Sequence, residues 1–135
     1  MSLYRKMLDR ARQRTYFFNL ATASRSESLN DGQRIEETSM DTKKLLHDKR
    51  DEISAVASKH GAYNVRIFGS VVRGEDRPDS DIDFLIDVGE TTSSWFPAGL
   101  ILDLEKILGR RVEVVTARAL NPYIRDYVLR EAKPL

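Results

Sequence analysis

An α/β layer structure around a small sheet is the fold class the sequence predicts, and three observations predict it. Amphipathic stretches with helical spacing alternate with short runs rich in β-branched and aromatic residues. Their order is helix, strand, turn, strand, helix, strand, helix, which sets helices against a sheet. At 135 residues the chain holds one domain's worth of core and not two.

Periodicity opens at Met40, so the folded domain is expected over 40–135. Asp41 or Thr42 is placed to cap a helix whose positions Leu46, Ile53, Val56, Ala57 and His60 face inward, with Gly61 as its stop. YNVRIF (63–68) alternates and reads as a strand entering Gly69. VVRGED has the makings of a short helical turn, which Pro78 breaks, and DIDFLIDV (81–88) reads as the second strand. Pro97 starts a helix whose apolar residues at 100, 101, 104, 107 and 108 form one stripe, with Gly109 at its end. RRVEVVT (110–116) is the third strand. Asn121 and Pro122 then open a last helix that turns Ile124, Tyr127 and Val128 inward. Trp95, Phe96, Tyr123 and Tyr127 fit either an exposed patch for a partner or packing, with packing preferred for most, and His47 and His60 are read as surface or packing residues because their spacing does not suit metal ligands.

Residues 1–39 read differently. The first 25 carry Arg5, Lys6, Arg10, Arg12, Arg14 and Arg25 against the single acid Asp9, and SRSESLNDGQRIEETS (24–39) follows neither helical nor strand periodicity. Two readings fit, a mobile basic and polar leader or an organellar transit segment, and the leader is preferred. For the whole chain, apolar residues make up 41%, charged residues 32%, and the formal net charge is +1. Nothing global draws it to nucleic acid, so no direct nucleic-acid binding is expected. The absence of cysteine excludes disulfides, thiolate zinc sites and cysteine nucleophiles, and suits a reducing cytoplasm. No apolar stretch approaches the roughly 20 residues of a membrane span, so a soluble cytoplasmic protein without a membrane partner is expected.

The chemistry concentrates in FGSVVRGEDRPDSDIDFLID (68–87). Alternation along a strand puts Asp81 and Asp83 on one face with Leu85, and Ile82, Phe84 and Ile86 on the other. Two carboxylates that close resist ionising together unless a cation lies between them, and oxygen ligands favour Mg²⁺ or Mn²⁺. Magnesium held by one or two carboxylates commonly shares its shell with phosphates, so the expected ligand is a nucleoside triphosphate. Gly69 permits the tight turn before it, Ser70 offers a hydroxyl and an N–H to phosphate, and Arg73 adds a fixed positive charge. Glu113, between Val112 and Val114 in an apolar strand, is placed to complete a carboxylate triad, and three acids can hold two metals. Asp79 and Ser80 shape the intervening loop, with Ser80 supporting the aspartate pair and grouped with the nucleotide-binding residues; Asp87 is assigned to a turn or the surface. Arg110 and Arg111 either approach phosphates or flank the strand. A P-loop is rejected because Glu75 and Asp76 follow Gly74 where lysine and serine or threonine are needed. Ser70 also lacks the second glycine of a hydrolase nucleophile elbow.

GSVVRGEDRPDSDIDFLI resembles the nucleotidyltransferase superfamily typified by DNA polymerase β, and within it the minimal nucleotidyltransferase (MNT) branch, over about residues 40–133. The resemblance implies a polymerase β-like fold, a small mixed sheet flanked by helices. It implies that Gly69 and Ser70 contact phosphate, that Asp81 and Asp83 bind metal, and that Glu113 takes the third acidic position, where the branch is expected to carry aspartate. It further implies an antitoxin paired with a HEPN-domain ribonuclease toxin, transferring AMP from ATP to a toxin tyrosine. Size agrees with a protein acceptor, since a domain of roughly this length supplies a triphosphate cradle and little room to enclose a second small substrate. The alternatives are an antitoxin that masks its toxin without catalysis and, less favoured, a transferase acting on a small molecule such as an aminoglycoside.

Overall fold

Four strands form one sheet in the order β3-β2-β1-β4. A computed structural model of the protein describes residues 40–135, so the readings of residues 1–39 lie outside the described residues. The elements along the chain are α1 (40–48), α2 (Arg50–Lys59), β1 (Ala62–Phe68), α3 (Ser70–Arg73) and β2 (Ile82–Val88), then α4 (Ala98–Leu108), β3 (Val112–Thr116), α5 (Pro122–Glu131) and β4 (Lys133–Pro134). The strand β1 runs antiparallel to β2 and to β4, whereas β2 and β3 are parallel. The sheet is therefore mixed, and α4 supplies the crossover that a parallel pair requires.

Alternation divides the core between the two faces of the sheet. On one face Ile67, Ile82, Phe84, Ile86 and Val112 pack with Ile53 and Ala57 of α2 and Leu100, Leu104 and Leu108 of α4. On the other, Phe68, Leu85 and Val115 pack with Ile124 and Val128 of α5. The central strand β2 is consequently buried on both sides from Ile82 to Ile86. This explains why DIDFLIDV shows a continuous apolar run in which an aspartate stands out.

Several expectations are corrected. The first helix is already running at residue 40, so neither Asp41 nor Thr42 caps it, and it bends at Lys49. The N–H of Lys49 still reaches the Leu45 carbonyl at 3.0 Å, so the bend preserves the ladder while keeping Leu46, Ile53 and Ala57 on the core. Tyr127 does not turn inward, because α5 meets the sheet through the single stripe of Ile124 and Val128 and the tyrosine lies one step round the helix. Tyr123, 92% exposed, and Trp95 are also on the surface, while Phe96 packs against the core as expected. The two-residue edge strand β4 carries too little pattern to be read from sequence. His60 is a packing residue: its Nδ1 lies 2.6 Å from Ser93 Oγ and its Nε2 2.8 Å from Asp103, tying the loop after β2 to α4. Among the described residues no helix is long and apolar enough to cross a membrane.

Candidate active site

The turn after β1 is built on Gly69, whose φ of 82° and ψ of −148° lie where side-chain-bearing residues are strained. A single helical turn, α3, follows, and Gly74 ends it in the left-handed region at φ 72°. Ser70 is buried, and its hydroxyl oxygen has no hydrogen-bond partner. Ser80 shapes the next loop, its Oγ accepting the Arg77 N–H at 2.9 Å. Arg110 pins that loop by donating to the carbonyls of Arg77 and Ser80 at 2.9 and 2.7 Å, and it also donates to Thr42 Oγ1 at 2.7 Å. Asp76, fully buried, accepts the Thr42 hydroxyl at 2.8 Å and lies 3.5 Å from Arg110. Of the two options for Arg110 and Arg111, Arg110 is thus a structural clamp.

Asp83 is the centre of the acidic group. It pairs with Phe68 on one side and in register with Glu113 on the other, so Asp83 and Glu113 are neighbours on the α5 face of the sheet. Asp81 lies just before β2, half-buried, with Oδ1 3.5 Å from Arg111 Nε. Asp83 is fully buried, and both its carboxylate oxygens lack any hydrogen-bond partner. Burial pushes its carboxyl up to about 8, and the nearby charges of Asp81, Glu113 and Glu131 add to this while Arg73 opposes it. Asp87 stands apart at the far end of β2, held by Asn64 at 2.8 Å and Arg66 at 3.0 Å.

An orphaned carboxylate is costly, and what relieves it is a proton or a cation. The donor set, carboxylate oxygens from Asp81, Asp83 and Glu113, suits a hard divalent ion. Among the described residues, however, no three His, Cys, Asp or Glu side chains form a ready-made ligand cluster. The acids converge on Asp83 electrostatically, and Asp81 leans on Arg111. An apolar groove of about 340 Å³ lies elsewhere, lined by Leu46, Ile67, Val71, Lys133 and Leu135 on the opposite face. Apolar size does not outweigh an unsatisfied buried carboxylate as a mark of chemistry.

The sequence reading missed Glu131, at the end of α5. Its Oε2 accepts the Gly69 N–H at 2.9 Å, and its Oε1 accepts from Arg73 Nη1 at 2.6 Å and from the Tyr127 hydroxyl at 3.3 Å. Arg73 Nε also donates to Glu75 at 3.0 Å. Burial works against the guanidinium's charge, but these hydrogen bonds win and hold its pKa above the usual value. Only the 124, 128 spacing of α5 hinted at which way its last turn faces.

Residues 50–135 match the family described as "Nucleotidyltransferase domain". The chain belongs to the nucleotidyltransferase family. A solved structure described as "Structure of putative minimal nucleotidyltransferase" is 46% identical, covers 68% of this chain and 94% of its own, and superposes with a TM-score of 0.62. "Putative protein adenylyltransferase MJ0435" of Methanocaldococcus jannaschii is 36% identical over 87 residues, 64% of this chain and 94% of the relative. "Protein adenylyltransferase MntA" of Thermococcus cleftensis is 37% identical over 89 residues, 60% of this chain and 90% of the relative. The mixed sheet is the minimal nucleotidyltransferase fold, and the chain is a nucleotidyltransferase enzyme. In this nucleotidyltransferase the family match spans the Gly69 turn, the three acids and Glu131 alike.

Proposed function

We propose that this nucleotidyltransferase moves AMP from ATP to a hydroxyl on a partner protein, a HEPN-domain toxin that it thereby silences as antitoxin. The observation that carries the reading is Asp83: a buried carboxylate with two unpartnered oxygens, flanked by Asp81 and Glu113. Relatives named protein adenylyltransferases support the AMP and the protein acceptor.

Asp81, Asp83 and Glu113 would hold Mg²⁺ or Mn²⁺. Such an ion, when bound, neutralises phosphate charge and polarises the attacking hydroxyl. Gly69, Ser70 and Arg73 bind and orient the triphosphate, the unpartnered Ser70 hydroxyl being available to a phosphate oxygen. Ser80 and Arg110 keep the loop before β2 in place, so the aspartates meet the turn at a fixed angle. The acceptor oxygen attacks the α-phosphorus, the bond from α-phosphorus to the bridging oxygen breaks, and pyrophosphate leaves. Glu113 takes the acceptor's proton. Incubating the full chain with its toxin, ATP and Mg²⁺ should raise the toxin's mass by one or more AMP groups, and an unchanged mass contradicts the reading.

Two observations favour the masking alternative: Arg73 is already paired with two carboxylates, and among the described residues the acids form no finished cage. Joint Asp81→Asn and Asp83→Asn substitution separates the two. Loss of toxin control accords with transfer, and retention accords with masking.

A further inference from the structure

Glu131 sits where an anion is wanted. Its carboxylate takes the N–H of Gly69, which opens the turn, and the guanidinium of Arg73, which closes it, at 2.9 and 2.6 Å. Its side chain is only 9% exposed, so the contact is enclosed rather than a passing surface pair. Arg73 also bonds Glu75, so one positive group faces two carboxylates, with the Asp83 carboxyl close enough to feel Glu131. A triphosphate brought against that arrangement meets like charge at contact distance, in surroundings that screen it poorly. It gains the Gly69 N–H and Arg73 only by taking them from Glu131.

The exchange moves only the end of one helix. Glu131 is the last residue of α5, and beyond it β4 pairs through two exposed residues with Arg66 and Ile67, while Ala132 and Leu135 pack at the margins of the two cores. Helix ends and short edge strands open at small cost. The geometry points to Glu131 as a resident competitor, an intramolecular carboxylate that occupies the phosphate turn in the nucleotide-free protein and is displaced when a nucleoside triphosphate binds. The inference rests on the triphosphate reading above. Nucleotide affinity is then reduced by the fraction of molecules whose turn is occupied, and whatever draws the end of α5 away raises it.

Glu131→Gln keeps the size and an acceptor oxygen for Gly69 but removes the charge. Calorimetric titration with α,β-methylene-ATP and Mg²⁺, a non-transferable probe, should show the Glu131→Gln protein binding on the order of tenfold tighter than wild type. Equal or weaker binding overturns the inference and makes Glu131 a support for Arg73. If the variant does not fold, wild type decides by hydrogen exchange: amides of 128–133 exchange faster with the probe bound, and unchanged or slower exchange overturns the inference. Binding by neither protein sinks the triphosphate reading itself. Binding by wild type without a gain in the variant sinks only the competitor.

Discussion

Asp83 costs the fold stability, and that cost depends on pH. Its carboxyl rises from 3.8 to about 8 on folding. Between those values the folded chain holds a proton that the unfolded chain has released, so raising the pH from about 4 to about 8 destabilises the fold, with no further loss above. Asp83→Asn removes the titration and should stabilise the metal-free protein at pH 8 by about 2–4 kcal/mol, with little difference at pH 4. Urea unfolding at the two pH values checks this, and equal stabilities at pH 8 contradict it. Gly69 makes the opposite contribution. At φ 82° an alanine is strained, so Gly69→Ala should destabilise by roughly 1–3 kcal/mol, read as a lower urea midpoint. Both residues stood out in the sequence, one as a charge in an apolar run and the other as a glycine ending a strand. Glu131 did not, because Arg73 and Gly69 are 58 and 62 residues away and no local pattern announces so distant a contact.

At the scale of elements, one buried ion cluster ties three segments together. Asp76 links Thr42 of α1 and Arg110 after α4 to the loop that presents Asp81. Asp76→Ala leaves the Arg110 guanidinium without its buried carboxylate and should cost roughly 3–5 kcal/mol, with transfer activity falling alongside because the loop loses its clamp. Thermal unfolding and an activity assay check both. Strands and helices were legible because each shows a clean period: Ile82, Phe84 and Ile86 against Asp83 and Leu85, and Leu100, Leu104 and Leu108 at helical spacing. The missed features are those without a period. The edge strand β4 has two residues, the bend at Lys49 lies inside one helical pattern, and the outward turn of Tyr127 follows from how narrow a stripe of α5 meets the sheet.

For the whole molecule, the two-faced sheet explains how so short a domain holds both a core and the candidate site. The α2 and α4 face supplies most of the core, and the thinner α5 face carries Asp83, Glu113 and the Gly69 turn of the candidate site. The fold class, the turn and the acid positions were all readable because they occupy one contiguous stretch and one strand. Whether the site is finished was not, since Arg73's pairing with Glu131 exists only in three dimensions. In the proposed site a divalent ion together with nucleotide satisfies the buried Asp83 carboxylate. Electron paramagnetic resonance of Mn²⁺ titrated into the full chain with α,β-methylene-ATP tests it most directly. Wild type should bind Mn²⁺ at least about tenfold tighter than Asp83→Asn, and identical binding by the two proteins would contradict the account.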